Sequence, residues 1–350
     1  MPETSSPLVA EVIHEEQTVT LRRELHEVTT ADGMRLLLTR RLPADGPRRP
    51  LPLLLVHGFG QNRFTWALAR RSLPARLVAA GYEVAVAELR GHGQSRRAGS
   101  LPARSLQDYT DQDLPALMDY LLQLTRAERL ILVAHSLGGL VSLGVPPARR
   151  APIAGIAALA TPGTSLSGSP AMRSLALLLR LLLGRRSRPG GGGAVFPLDR
   201  IGQGLERVLP LVDRPGGRLL PQMWLPGSIE PDLLRELLRE GFEQEGLPIL
   251  VALARWLSSP GSVWAAEPEL VRRVTSLALP VLLLAGDRDA LAPPDSVEGW
   301  TSLLAAADCT YRVCGGEPVG DHFGHLDMLT GTLAPEGVWP HLLDWLEQFG

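Results

Sequence analysis

Short apolar runs alternate with longer amphipathic segments along most of the chain. The runs are rich in Leu, Val, Ile and Ala, which predicts strands buried on both faces of a parallel sheet. They comprise residues 51–56, 82–89, 130–134, 153–160 and 280–286, and residues 309–314 form the last predicted strand. Helices are predicted over residues 64–80, 111–124, 293–306 and 336–349. This alternation predicts an α/β fold with a mostly parallel, doubly wound sheet.

The amino-terminal region departs from this alternation. Residues 1–16 are polar and acidic, which predicts a loosely ordered terminus. Residues 18–42 contain two alternating runs on either side of Ala31-Asp32-Gly33, and an Asp-Gly pair in that position predicts a β-hairpin.

The alternation also stops between Thr161 and Leu279. Residues 231–240 and 248–257 have the apolar spacing of amphipathic helices, whereas residues 185–193 form a basic, glycine-rich hinge or loop. A helical segment placed between the strands of a parallel sheet predicts a cap over the carboxyl edge of that sheet. The alternative is a separate helical domain that does not reach the edge.

The length of 350 residues suits one large α/β domain with such an insertion. We predict an α/β core made of residues 17–160 and 276–350, with residues 161–275 as the inserted helical cap. The formal net charge of −2 gives no basic face, which argues against nucleic acid as a partner. Cys309 and Cys314 fall on opposite faces of the predicted strand, so a disulfide between them is not expected. The Cys and His spacings match no zinc site, and neither a metal nor a cofactor is predicted.

Because no targeting signal is recognised in the sequence, we expect a cytoplasmic protein. Residues 1–10 lack the charged and apolar regions of a secretory signal. The longest apolar run, residues 175–183, is too short to span a bilayer and contains Arg180. The basic residues that follow this run leave a contact with a membrane surface open, although a buried helix with a solvated basic end is favoured. The oligomeric state is not determined by the sequence.

The run 130–134 ends abruptly in His-Ser-Leu-Gly-Gly, and an apolar helical pattern follows at once. A strand that turns into a helix within a few residues forces the backbone through a sharp bend, and the bend pushes the side chain of Ser136 out above the sheet. The small residues Ala134 and Gly138 allow strand and helix to approach closely. This small-x-Ser-x-Gly sequence resembles the nucleophile elbow of α/β-hydrolases, with alanine in place of the commoner first glycine.

Four further motifs resemble the same superfamily in their order and spacing. They are His-Gly-Phe-Gly at 57–60, Arg-Gly-His-Gly-Gln-Ser at 90–95, Gly-Asp-Arg-Asp at 286–289 and Gly-His-Leu-Asp at 324–327. The resemblance implies the α/β-hydrolase fold over residues 18–160 and 275–348. The carboxyl-terminal part also resembles acid lipases and polyhydroxyalkanoate synthases. Because those synthases use a cysteine nucleophile, Ser136 favours transfer of an acyl group to water.

The resemblance implies a triad in which serine, acid and histidine follow one another along the chain. The acid is expected after the strand 281–285, where Asp289 is preferred to Asp287 because Gly286, Asp289 and Pro293 resemble the Gly-x-x-Asp-x-x-x-Pro arrangement of the superfamily. Asp287 is then expected to be a turn-forming aspartate that bonds its own backbone.

The base is expected after the last strand, where His325 is preferred to His322 because Gly-His-Leu-Asp at 324–327 resembles the terminal histidine loop of lipase- and esterase-like members. Gly324 allows the backbone beside His325 to bend close to the serine. His322 is then a residue at the rim or a helper, and Asp327 is expected to bond a neighbouring backbone amide.

The tetrahedral intermediate of acyl transfer requires hydrogen-bond donors for its oxyanion. The resemblance implies the backbone N–H groups of Leu137 and Phe59 as these donors. His57 and Gly58 are expected to shape the loop that carries Phe59. His135 is expected to point away from the nucleophile and to be structural, and the motif at 90–95 is assigned to packing.

The leucine-rich insertion, together with Trp224 and Trp256, predicts an apolar wall for the substrate site. The alternative is that these side chains only pack the cap on the core. The resulting hypothesis is a serine esterase or lipase-like hydrolase that acts on an ester with a hydrophobic group through an acyl-enzyme. A thioesterase or acyltransferase on the same triad, and a non-catalytic ligand-binding member of the fold, remain alternatives. Epoxide hydrolases and haloalkane dehalogenases are disfavoured because they resemble this fold with aspartate at the elbow.

Overall fold

A computed structural model of the chain describes residues 8–46, 48–163, 194–214, 223–258, 268–316 and 320–350. Within these residues the strands are β1 (Leu8–His14), β2 (Gln17–Thr29), β3 (Arg35–Pro43), β4 (Leu53–Val56), β5 (Ala67–Leu68), β6 (Arg71–Ser72), β7 (Val84–Glu88), β8 (Leu130–His135), β9 (Ile153–Leu159), β10 (Val195–Phe196), β11 (Glu245–Gly246), β12 (Val281–Gly286) and β13 (Cys309–Cys314).

The helices cover the sheet and form most of the described insertion. They are α1 (Leu73–Ala79), α2 (Gly93–Arg97), α3 (Leu114–Thr125), α4 (Leu137–Leu143), α5 (Leu198–Arg207), α6 (Leu209–Val212), α7 (Pro231–Glu236), α8 (Leu247–Ser258), α9 (Pro268–Thr275), α10 (Pro294–Leu303), α11 (Asp327–Thr330), α12 (Ala334–Gly337) and α13 (Trp339–Leu346). In the described part of the chain no helix has both the length and the apolar character needed to cross a membrane.

The main sheet has the strand order β13-β12-β9-β8-β4-β7-β3-β2-β1-β6-β5 in the described residues. The strands from β13 to β7 run parallel, and those from β7 to β5 pair antiparallel. The predicted mostly parallel sheet is therefore confirmed, with the predicted hairpin of β2 and β3 beside it. Because parallel strands end at one edge, the loops after β4, β8, β12 and β13 meet there.

The strands in the parallel part of the sheet that flank the elbow, β4, β8, β9 and β12, are apolar on both faces. All residues of β4, β8, β9 and β12 are buried, as expected for strands with helices on either side. Nearly all of these side chains are aliphatic and close-packed. The end of β8 is therefore a rigid platform for the residue that follows it.

Two elements differ from the sequence prediction. Residues 1–16 were expected to be loosely ordered, but Leu8–His14 pairs antiparallel with β2. A helix is predicted over residues 64–80, but the α-helix covers only Leu73–Ala79, and a short 3-10 turn at Arg63–Thr65 precedes it. Pro74 lacks an amide hydrogen and fits only the first turn of a helix, and the Ser72 hydroxyl caps that turn by accepting the amide of Ala75 (3.2 Å).

The described part of the insertion lies between β9 and β12 and has a hydrophobic cluster of its own. Trp224, Leu234, Leu238 and Phe242 are buried in this cluster together with Leu326 from the loop after β13. The described part of the insertion therefore contacts the loop after β13 at the carboxyl edge of the sheet, and its role as a cap stays a prediction. The runs at 175–183 and 185–193 lie outside the described residues.

Candidate active site

Ser136 occupies the sharp bend between β8 and α4. Its backbone has φ 52° and ψ −120°, a conformation that is strained for a residue with a side chain. Its amide still donates to the carbonyl of Leu159 (2.9 Å), which extends the pairing of β8 with β9. The buried strand and the helix thus hold the bend from both sides, and the Ser136 side chain remains partly exposed.

The side chains of Ser136, His325 and Asp289 form one hydrogen-bonded chain. Ser136 Oγ lies 2.9 Å from His325 Nε2, and His325 Nδ1 lies 2.7 Å from Asp289 Oδ2. His325 and Asp289 are 4% and 2% exposed, so bulk water does not compete for these bonds. The structure brings together the three residues that the sequence analysis preferred.

Asp289 is held in one orientation by its own turn. Its Oδ1 accepts the amides of Leu291 and Ala292, both at 2.8 Å, which leaves Oδ2 for His325. With Asp289 accepting at Nδ1, the histidine carries its proton there and presents an unprotonated Nε2 to Ser136. This arrangement allows the imidazole to accept the hydroxyl proton.

The alternative acid and base pair with each other away from the serine. Asp287 Oδ2 lies 2.6 Å from His322 Nδ1, and Asp287 Oδ1 accepts the amide of Phe323 (2.8 Å). Asp287 therefore bonds the loop that carries His325, rather than its own turn as expected. His322 is partly exposed at the rim, with Arg288 2.7 Å from its Nε2.

Two glycines let the loop after β4 and the helix α4 come close to each other. A Cβ on Gly138 would lie 2.4 Å from the carbonyl oxygen of Val56, and a Cβ on Gly58 would lie 3.0 Å from Ser136 Cβ. The loop 57–60 therefore runs directly beside the serine. Leu137 is the first residue of α4, where backbone N–H groups have no partner within the helix.

The histidines beside these loops are buried and uncharged. His57 Nε2 accepts the amide of Leu89 (3.1 Å) and its Nδ1 lies 2.9 Å from the Gly58 carbonyl, so His57 braces the loop as expected. Burial lowers the pKa of His57 to about 3. His135 packs against His325, because its Nε2 lies 3.0 Å from the His325 carbonyl and the ring centroids are 4.7 Å apart. Burial also lowers the pKa of His135 well below its ordinary value.

The loop that carries His325 has a second internal support. Asp327 is buried, and its Oδ2 accepts the amide of Gly324 (2.9 Å), which is the backbone bond that the sequence predicts. Burial raises the pKa of Asp327 to about 6.

The insertion contributes contacts to the same loop that sequence reasoning missed. The amide of Leu326 donates to the carbonyl of Met223 (2.8 Å). The buried Arg71 binds both carboxylate oxygens of Glu230 at 2.6 and 2.5 Å, and also donates to the carbonyl of Thr330 (2.9 Å). Met223, Arg71 and Glu230 belong to no local motif, so no signal in the sequence marks these contacts.

The two tryptophans proposed for the substrate site have different outcomes. Trp224 is 7% exposed and donates its indole N–H to Asp213 Oδ1 (3.1 Å) within the cluster of the insertion. This placement corresponds to the packing alternative. Trp256 lies in α8, and its side chain falls outside the described residues.

A lipase and an epoxide hydrolase are among the curated proteins that match part of the chain. Lipase member N of Mus musculus is 32% identical over 141 residues, which cover 35% of this chain and 35% of that protein. Epoxide hydrolase A of Mycobacterium tuberculosis is 34% identical over 131 residues, or 37% of each protein. The matches therefore span only about a third of these relatives.

Solved structures share the fold over nearly the whole chain. The monoacylglycerol lipase of Paleococcus ferrophilus is 20% identical, has a TM-score of 0.60, and is aligned over 91% of this chain and 100% of its own. The family model for the alpha/beta hydrolase fold matches residues 52–326, which include the elbow, the loop after β4 and the loops after β12 and β13. The chain belongs to the α/β-hydrolase family.

Proposed function

We propose that the protein is a serine hydrolase that cleaves carboxylic esters with a hydrophobic acyl or alcohol part. The observation that carries this proposal is the continuous hydrogen-bonded chain from Ser136 through His325 to Asp289 at the strained elbow. A serine hydroxyl is a weak nucleophile at neutral pH and requires an adjacent base, and the base requires a carboxylate to orient it. Both requirements are met by side chains that packing or backbone amides hold in place.

In the proposed reaction, Ser136 Oγ attacks the ester carbonyl carbon while its proton passes to His325 Nε2. The carbonyl oxygen becomes an oxyanion, which accepts the backbone N–H groups of Leu137 and Phe59. Collapse of this intermediate breaks the bond to the alcohol, which leaves with the proton from His325. Water then attacks the acyl-enzyme with His325 as base again, releases the acid and restores the serine.

The hydrophobic substrate class is supported by two observations. The described insertion contributes a buried hydrophobic cluster that includes Leu326 from the loop of His325. The matched proteins include a lipase and a monoacylglycerol lipase, names that refer to lipid esters. The match to an epoxide hydrolase does not favour that activity for this chain, because its elbow has serine and not aspartate.

A fluorophosphonate probe and p-nitrophenyl esters of graded chain length test the proposal. The wild-type protein is expected to be labelled at Ser136 and to prefer the longer esters, and Ser136→Ala is expected to lose labelling and turnover. Saturable binding of an apolar ligand without labelling or turnover would instead indicate a non-catalytic member of the fold. Analysis of the products with thioester donors and alcohol acceptors separates hydrolysis from acyl transfer.

A further inference from the structure

The backbone of the loop after β4 forms hydrogen bonds with residues of the insertion. The amide of Gly60 donates to Glu245 Oε2 (3.1 Å), and the carbonyl of Gly60 accepts the amide of Glu243 (2.7 Å). Gln61 forms an antiparallel bridge with Phe242 immediately beside these bonds. Both polar groups of the Gly60 backbone are thus satisfied by residues that lie far away in the sequence.

The conformation of Gly60 makes these bonds important for the shape of the loop. Its φ is +57°, and a Cβ there would lie 2.5 Å from Leu198 Cδ2 of α5. Glycine is the most mobile residue in the unfolded chain and has little intrinsic preference for one conformation. The contacts with the insertion therefore select the left-handed conformation that brings residues 57–60 past the serine.

The Glu245 carboxylate is completely buried, and both of its oxygens accept hydrogen bonds. Besides the Gly60 amide on Oε2, its Oε1 accepts the Tyr109 hydroxyl and the amide of Gly246, both at 2.8 Å. His92 Nε2 lies 3.3 Å from Oε2. A buried charge is costly unless it is fully paired, and this one is.

His92 faces this carboxylate from the side of Oε2. Its Nδ1 lies 2.8 Å from the carbonyl of Arg90 and its Nε2 faces Oε2 of Glu245, so both ring nitrogens lie beside oxygen atoms. Burial lowers the pKa of His92, but the charge of Glu245 and its hydrogen bond outweigh burial and raise it above the ordinary value. Burial likewise raises the pKa of Glu245, while the charge of His92 and hydrogen bonds from His92 and Tyr109 bring it below the ordinary value.

We propose that Glu245 is a positioning residue for the oxyanion-binding loop: its carboxylate, supplied by the insertion, fixes the Phe59–Gly60 peptide and so aims the amide of Phe59. This inference rests on the proposed function, because it assigns the loop its role in binding the oxyanion. It makes residue 245 part of the active-site architecture although it touches neither the substrate nor the triad.

The replacement Glu245→Gln separates charge and hydrogen bonding from size. Each carboxylate oxygen accepts a backbone amide, from Gly60 on one side and from Gly246 on the other. Glutamine has one oxygen and one NH₂ group, so in either orientation its NH₂ faces an N–H donor. The variant is isosteric, yet it cannot satisfy both amides.

The matched control is Glu83→Gln. Glu83 is also buried and ion-paired, with Arg40 Nε at 2.6 Å, but it precedes β7 and so lies at the edge of the sheet opposite to Ser136. Glu83→Gln therefore measures how much activity and ketone affinity change when a buried acid away from the active site is neutralised.

Activity on a p-nitrophenyl ester and affinity for a trifluoromethyl ketone, which forms a tetrahedral adduct, are measured at a temperature where circular dichroism shows all variants folded. Glu245→Gln is expected to lower kcat by about 10- to 100-fold while KM stays within about twofold of wild type. Its affinity for the ketone is expected to fall by a factor similar to that for kcat. Glu83→Gln is expected to keep kcat and ketone affinity within about twofold of wild type. Equal losses in both variants, or no loss in Glu245→Gln, would overturn the proposal.

Hydrogen exchange of the peptide that covers residues 57–62 gives a readout independent of turnover. Glu245→Gln is expected to exchange faster there than wild type, and unchanged exchange would contradict the proposal. Faster exchange in a protein that hydrolyses no ester would mean that the proposed function, and not the contact, is wrong. If Glu245→Gln does not fold, Tyr109→Phe removes one donor from the carboxylate, and the same acceleration is expected to a smaller extent.

Discussion

The replacement Gly58→Ala adds a single methyl group between the elbow and the loop after β4. The new Cβ would lie 3.0 Å from Ser136 Cβ, 3.0 Å from Gln61 Oε1 and 3.2 Å from His135 Nδ1. Gly58 does not have a positive φ, so the alanine backbone is unstrained and the effect is purely steric. The variant therefore tests how closely the loop must approach the serine.

The magnitude follows from how little the neighbours can yield. Gln61 and His135 are 2% and 0% exposed, and Ser136 is held by the strained bend. Overpacking of this kind costs about 1–3 kcal/mol of unfolding free energy. The loop must shift by a few tenths of an ångström, and since a misplacement of about 1 Å can cost roughly 100-fold, we expect about a tenfold loss in kcat/KM.

The assay combines hydrolysis of a p-nitrophenyl ester with denaturant unfolding, and Gly204→Ala serves as the control. Gly204 lies in α5, and a Cβ there would meet no atom within 4 Å. That methyl group is expected to stabilise the helix by about 0.5–1 kcal/mol and to leave kcat/KM unchanged. Wild-type kcat/KM in Gly58→Ala would refute the close approach of loop and serine.

Two further predictions concern the carboxylates. Asp289→Asn is expected to lower kcat by about 10³- to 10⁴-fold because the amide favours the wrong tautomer of His325, whereas Asp287→Asn is expected to cost less than tenfold; equal losses would contradict the assignment. Burial raises the pKa of Glu230, but the hydrogen bonds and charge of Arg71 outweigh burial and lower it from 4.5 to about 2. This pair therefore stabilises the fold above about pH 4.5 and loses that contribution as the pH falls towards 2, so the stability difference between wild type and Glu230→Gln in urea unfolding should shrink over that range.

Local patterns determined the core of the fold and the catalytic candidates. The apolar run of β8 followed by small residues predicts both the buried strand and the bend at Ser136, because neighbouring residues alone create that strain. The Asp-Gly pair predicts the hairpin of β2 and β3 for the same reason. The sequence misplaced the start of α1, where Ser72 and Pro74 carry the local signal for a first helical turn.

The choice between paired candidates needed tertiary contacts. Asp287 and Asp289 are only two residues apart in the same loop. The hydrogen bonds of the folded loops show that Asp289 pairs with His325 and Asp287 with His322. The direction of a side chain at a loop depends on which backbone amides it can bond.

The sequence by itself determined which strands are buried, where the backbone bends and which residue types are available for catalysis, since these follow from neighbours along the chain. Only the tertiary structure decided that Glu245 contacts Gly60, because these residues are 185 positions apart and neither lies in a pattern that refers to the other. Arg71 and Glu230, 159 positions apart, follow the same rule. A buried ion pair forms where packing removes water from both partners, and that condition exists only in the folded chain.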